Sequence, residues 1–247
     1  MSDAEAELRR QLTAAYRLSA RFGWTDMVFN HISARLPENE PGGGDHAYLV
    51  NPEGLLSSEM TPAALLKVDC DGAILDRPEA SFIPAGFVIH SAIHRARPDA
   101  ACIAHNHAMA GMAVSCDPRG LLPLTQRSME FHGQVAYHDF GGIELESDGG
   151  DRIVRDLGDR RAMIMRNHGL LTCGRSVAEC WYEMYYLHRC CEIQMRTLAA
   201  CPEPSIPPAE VCDHTAAQYP QFHDNDVAMV WAAMLRTLDR EQPGWDR

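Results

Sequence analysis

Three histidines in two short apolar runs are the residues of this chain best suited to chemistry. The first run, Cys102-Ile103-Ala104-His105-Asn106-His107-Ala108, carries two of them at i, i+2. Alternate side chains of a β-strand share a face, so this spacing aims both imidazoles the same way. Neutral imidazole suits zinc, iron, cobalt and nickel, and two converging rings make half of a metal site. A His-x-His pair by itself is also what the wet face of a half-buried strand looks like. The second run changes the balance. Ala162-Met163-Ile164-Met165-Arg166-Asn167-His168-Gly169 is again an apolar stretch that ends in a histidine. Two strand ends that bring His105, His107 and His168 to one point leave a metal with open positions, as catalytic rather than closed structural sites do. The expected cofactor is one divalent transition metal, zinc first, with iron, manganese or cobalt as alternatives.

The elements that must hold these runs are legible from periodicity and punctuation. Residues 3–22 carry Leu8, Leu12, Ala15, Ser19 and Phe22 on one helical face, stopped by Gly23. Residues 27–36 alternate as a strand does. Pro37 to Asp45 is a loop, residues 47–50 a second strand, and Asn51-Pro52-Glu53-Gly54 a turn. Thr61-Pro62 predicts an N-cap and a short helix. Residues 67–76, centred on Asp71-Gly72, predict a hairpin. A helix is expected over 84–96, with His90 and His94 at i, i+4. Without an acidic residue between them these two fit packing or capping better than ligation. A helix near 108–115 follows the first histidine run. Residues 121–125 and 134–138 read as strands, and 141–142 and 147–150 as loops. Ser176 and Glu179 mark a capping box, and the helix after it extends to about 199 along Val177, Trp181, Met184, His188, Cys191, Met195 and Leu198. A proline-rich linker spans 201–208, and a last helix covers about 225–240. Hairpins mixed with flanking helices predict one α/β domain around a mainly antiparallel sheet.

Composition narrows the function classes. The 247 residues are 46% hydrophobic and 23% charged, enough for a substantial core. A net charge of −12 argues against nucleic acid and against an anionic membrane surface. No apolar run approaches the roughly 20 residues of a membrane helix. The N-terminus lacks the basic and apolar regions of a signal peptide. Nine cysteines, odd in number, scattered and without a Cys-x-x-Cys, read as reduced thiols of a cytoplasmic protein.

Several stretches in order then resemble the class II aldolase/adducin family, along the chain to about residue 215. They are Asn30-His31-Ile32-Ser33-Ala34-Arg35, Asn51-Pro52-Glu53-Gly54, Pro84 to His90, Ala96-Arg97-Pro98-Asp99, His105-Asn106-His107 and Arg166 to Leu171. The resemblance implies a three-layer α/β/α sandwich over residues 1–215, with 216–247 as a helical extension packed on it. It implies a metal held by His105, His107 and His168, a small-molecule substrate, and a homotetramer with sites at subunit interfaces.

The departures from the family pattern are as informative. Sugar-phosphate aldolases of this family carry Ser-Ser-Glu where this chain has Pro84-Ala85-Gly86, so their proton-transfer glutamate and two phosphate-contacting hydroxyls are missing. Their Thr-Gly phosphate contact is Glu53-Gly54 here, and a carboxylate repels phosphate. Asn30 remains of that site, and Gly54 keeps its turn. The run from Pro84 to His94 looks more like adducin, whose head domains are binding modules without the metal histidines. Iron-dependent oxygenases of aminocoumarin pathways, relatives that also lack the glutamate, act on aryl 2-oxo and 2-hydroxy acids. The expectation is therefore a metal-dependent lyase of aldolase or decarboxylase type acting on an unphosphorylated carbonyl, hydroxy-acid or oxo-acid. An oxygenase and a non-catalytic module are the alternatives. His138, in Ala136-Tyr137-His138-Asp139, is the first candidate for the acid–base group, with His31 behind it. Arg127, near the place of a substrate-contacting tyrosine, is the candidate to hold a substrate carboxylate.

Overall fold

In the computed structural model, residues 1–37, 47–143 and 147–247 are described; the expected loop at 37–45 lies almost wholly outside them. A seven-stranded sheet runs through the middle in the order β3-β2-β1-β4-β7-β6-β5. Its strands are β1 (His31–Arg35), β2 (Tyr48–Val50), β3 (Leu66–Val68), β4 (Cys102–Asn106), β5 (Val135–His138), β6 (Ala162–Met165) and β7 (Gly169–Gly174). Neighbours are antiparallel except β5 and β6.

The alternation of side chains along the strands builds two cores. On β4, Cys102 and Ala104 face one layer while Ile103 faces the other; on β6, Ala162 and Ile164 oppose Met163 and Met165. The first layer contains helices α1 (Asp3–Arg21), α3 (Met109–Ser115), α6 (Val177–Ala200) and α8 (Pro220–Glu241). The second contains α2 (Pro84–Ala96) and α5 (Ser147–Leu157). This is the expected three-layer α/β/α sandwich, with apolar area buried on both faces as the main stabilising term. Two further helices, α4 (Gln126–Met129) and α7 (Ala209–Gln218), pack against each other beside α6.

Several boundaries follow local chemistry. Ser2 caps α1 through a bond from Glu5 N–H, and Gly23, at φ +71°, turns the chain out of it. Pro84 opens α2, and Ser176 caps α6. The capping box is half formed, because Glu179 accepts from Arg175 N–H rather than from Ser176. All nine cysteines are free. Among the described residues, no helix is long and apolar enough to cross a membrane.

Four local expectations differ from what forms. The strand expected over 27–36 begins only at His31, the first residue with a partner on β4; before it, Met27 adopts φ +47°. Residues 62–64 form a turn rather than a helix, since β3 begins at Leu66 and leaves no length for one. Residues 121–125 are not in the sheet: their amides bond to side chains, Leu121 to the Tyr137 hydroxyl and Leu122 to Gln194. Residues 147–150, expected as a loop, open α5. A Cβ at Gly150 would lie 2.7 Å from Ala92 Cβ, so glycine permits α5 to approach α2.

Candidate metal centre

His105 stands in β4, opposite His31 of β1 and Leu171 of β7. His107 follows the strand end, and Asn106 shapes the exit by accepting a bond from Ala108 N–H at 3.1 Å. His168 arrives from the turn between β6 and β7. Asn167 takes a left-handed φ of +57° there, and His168 N–H donates to Met165 O at 3.1 Å. Gly169 is required because a Cβ would collide with the Asn106 carbonyl.

These backbones bring three Nε2 atoms together. His107 Nε2 lies 2.9 Å from His105 Nε2 and 3.0 Å from His168 Nε2, and all three lie within 4.8 Å of one another. Tetrahedral zinc with nitrogen ligands at 2.0–2.1 Å sets them about 3.3 Å apart, so these two separations are within a few tenths of an ångström of those in a ligand set. Burial lowers the basicity of His105 and His168. His105 is held well below the usual imidazole range, with its neighbouring histidines adding to the effect. His168 is lowered to about 4 by burial, then by His107 and His138. At neutral pH these rings keep their lone pairs, and lone pairs aimed at one point need a cation between them. The residues therefore fit a divalent metal. Asp26, at 3.2 Å from His107 Nδ1, is an outer carboxylate of the kind that orients a ligating ring.

Around the trio, His138 ends β5 and is buried. Its Nδ1–H donates to Asp156 at 2.7 Å. Burial pushes Asp156 up, but hydrogen bonds from His138 and Arg155 outweigh it and hold the carboxyl below the ordinary range. Phe140 sets its ring 6.3 Å from that of His168. Asn30 is buried against the same loop: its amide donates to Trp24 O at 2.7 Å and accepts from His107 N–H at 3.4 Å. Gly54 sits in an exposed turn at φ +87°. Arg127 is not among these residues. It donates to Glu130 (2.8 Å) and to the Tyr182 hydroxyl (3.0 Å) and lies 3.9 Å from the centroid of Tyr186. His31 stacks on His105 and joins His90, Ser33 and His94 in a buried chain of hydrogen bonds.

The sequence reading missed Asp26, Asp156 and Ser33 as parts of this neighbourhood. None lies in a pattern of its own. The i, i+4 spacing of His90 and His94 was a signal, but what they face lies 57 to 61 residues away.

Residues 10–195 match the Class II Aldolase and Adducin N-terminal domain family. A Caulobacter vibrioides protein whose name places it provisionally among class 2 aldolases is 42% identical over 99% of this chain and 94% of its own length. Rat alpha-adducin is 43% identical over 81% of this chain, which spans only 27% of that protein. Among solved structures, an aldolase II superfamily protein from Pseudomonas syringae superposes with a TM-score of 0.92 at 43% identity, over 100% of this chain and 96% of that one. The L-fuculose 1-phosphate aldolase of Glaciozyma antarctica reaches 0.84 at 29% identity, over 98% and 93%. With its sandwich, its strand-end histidines and these similarities, the chain belongs to the class II aldolase/adducin family.

Proposed function

We propose that the chain is a metal-dependent enzyme that cleaves a carbon–carbon bond of a small unphosphorylated carbonyl, hydroxy-acid or oxo-acid, as an aldolase or decarboxylase does. The observation that carries this reading is the convergence of three imidazole nitrogens beside a buried histidine, His138, paired with Asp156. His105, His107 and His168 would hold one divalent metal, zinc first. Such an ion supplies Lewis-acid polarisation of a carbonyl. The chain's own residues do the rest. Asp156 fixes the proton of His138 on Nδ1, so that the other ring nitrogen is the one to exchange a proton. Asn30 and Gly54 are proposed substrate contacts; Arg127, engaged by Glu130 and Tyr182, is the least available of the three.

Phosphorylated substrates fit poorly. Pro84 and Ala85 offer no hydroxyl, and Glu53 puts a carboxylate, hydrogen-bonded by Ser81, in the adjacent turn. Near the histidines in sequence, Met27, Phe29, Met109, Phe140 and Ile143 are more than half exposed. That much apolar surface argues for coverage by further copies of the chain, in line with a homotetramer whose sites lie at subunit boundaries. Nine free thiols suit a reducing, cytoplasmic setting.

The test is metal analysis of the purified protein joined to turnover of 2-oxo and 2-hydroxy acids with oxygen uptake monitored. We expect one equivalent of divalent metal, cleavage without oxygen consumption, and negligible turnover of L-fuculose 1-phosphate. His138→Ala should lower kcat by about 10²–10⁴-fold with metal content intact. Robust cleavage of the sugar phosphate refutes the substrate class. Turnover that needs iron(II) and oxygen replaces the lyase with an oxygenase. Actin co-sedimentation that survives complete metal removal favours the module reading, to which the adducin similarity points.

A further inference from the structure

His31 is placed with unusual constraint. It faces His105 across the β1–β4 ladder, and the two rings stack with centroids 5.0 Å apart and planes 27° apart. On its other side is Gly86, in the first turn of α2. A Cβ at Gly86 would lie 2.8 Å from His31 Cδ2 and 2.9 Å from Nε2, so position 86 must lack a side chain for this ring to sit here. The ring is anchored from behind. His31 Nδ1 lies 2.7 Å from His90 Nε2, His90 Nδ1 lies 2.5 Å from Ser33 Oγ, and Ser33 Oγ lies 2.8 Å from His94 Nε2. All four side chains are at most 5% exposed. The remaining nitrogen, Nε2, lies beside the position that Gly86 leaves open, and His31 there lines a cavity with room for about one water-sized group, together with Asn51, Ile83, Gly86, Phe87 and His90.

We propose that His31 is a substrate-positioning residue, whose Nε2–H donates to an anionic oxygen of a small 2-hydroxy or 2-oxo acid, and whose Nε2–H tautomer is held by the His90–Ser33–His94 chain once that oxygen is bound. This rests on the metal-dependent reading above. A neutral imidazole has one donor and one acceptor nitrogen, and a serine hydroxyl donates once. When the Ser33 hydroxyl donates to one of its two imidazole partners, the chain runs head to tail in one of two senses. In one, His94 Nε2–H donates to Ser33, Ser33 Oγ–H to His90 Nδ1, and His90 Nε2–H to His31 Nδ1. His31 Nε2 then carries a proton that faces the cavity. In the other sense a bare lone pair faces it and repels an anion. An anionic oxygen selects the first sense. The donor it meets is uncharged, and no carboxylate lines that cavity.

The probe is glycolohydroxamate, a bidentate mimic of an enediolate, titrated calorimetrically into the zinc-loaded full-length protein. His31→Phe keeps a ring against His105 and removes the donor. Zinc content should be unchanged, while affinity falls about 10–100-fold, the range of a hydrogen bond to a charged group. Gly86→Ala leaves every polar group in place and displaces the His31 ring, so it should weaken the hydroxamate in the same direction; it decides the question if His31→Phe does not fold. Nitrogen-15 spectra of the complex should show His31 protonated at Nε2 and bare at Nδ1. Equal affinities in the wild type and both variants, or a proton on Nδ1, overturn the assignment and leave the metal centre standing. A wild-type protein that takes up zinc and ignores the hydroxamate overturns this role and the lyase reading together.

Discussion

Among the described residues, two clusters bring three metal-capable side chains within 4.8 Å of one another, and only one of the two is built like a metal site. His105, His107 and His168 meet as imidazoles, with one carboxylate, Asp26, at the rim. At the junction of α6 and α8, Glu179, His223 and Asp224 meet among arginines. There Glu179 Oε1 already accepts from Arg161 (3.0 Å), Arg175 (2.9 Å) and His223 (3.0 Å), and Asp224 from Arg175 (2.5 Å). Hydrogen bonds from His223 and Arg175 overcome burial and hold Glu179 well below the carboxylate range. His223 is pushed up to about 9 by Glu130 and Glu179. Histidine thus meets opposite environments in the two clusters. Burial among like rings lowers His105 and His168 and leaves their lone pairs available; burial among opposite charges engages the lone pairs of the second cluster.

The sharpest way to break this comparison is a pair of substitutions. His107 is within 3.0 Å of both other rings, so His107→Ala should abolish stoichiometric metal binding, measured by equilibrium dialysis and elemental analysis. Glu179→Gln should leave metal content untouched and lower unfolding stability by about 3 kcal/mol, because it strands Arg161, Arg175 and His223 around a neutral group. If Glu179→Gln strips the metal, the contrast is wrong.

A smaller effect separates ligands from what orients them. Asp26 is half exposed, and its carboxylate meets His107 at the far nitrogen, Nδ1. Asp26→Asn should weaken zinc about tenfold, at the low end for an outer partner, with no measurable change in melting temperature. An unchanged zinc affinity would show that the ring is oriented by its backbone alone.

The first cluster was legible in the sequence and the second was not, for a physical reason. His105 is in β4 and His107, two residues on, lies just past its end, while His168 ends the neighbouring run, so period and strand polarity were enough to join them. α2 could be placed at its true bounds because Pro84 and Pro98 punctuate a 3.6-residue pattern. The Glu179–His223 cluster joins side chains 44 residues apart across the linker and α7, and no periodicity reports such pairs. α5 was hidden by Gly149 and Gly150, which read as a loop until α2 is seen to need the close approach. The chain behind His31 was half visible: His90 and His94 stood out, but Ser33, which joins them, is one hydroxyl among many.

The smallest predicted effect concerns pH and the docking of α8. Its first turns are held through His223, which faces Glu130 just after α4, Glu179 and Glu183 on α6, and Arg161. The folded His223 titrates at about 9, above its ordinary value of 6.5, so its contribution is complete below 6.5 and is lost as pH rises through 9. Burial raises Glu183 to about 7 from 4.5, so its neutral form adds a contribution that is lost as pH rises through 7. Glu179 is depressed, and its contribution is lost only in strong acid, outside this window. The two raised groups therefore act in the same direction. Hydrogen exchange over residues 220–241, corrected for the intrinsic pH dependence, should quicken between pH 6.5 and 9.5, by no more than about tenfold because water screens the outer arginines. His223→Gln should flatten the part of the profile above pH 7 and leave the metal centre unaffected. A wild-type profile that is flat, or that slows with rising pH, would mean that α8 is held by its apolar face, through Val227, Trp231 and Leu238, and not by the charges at its start.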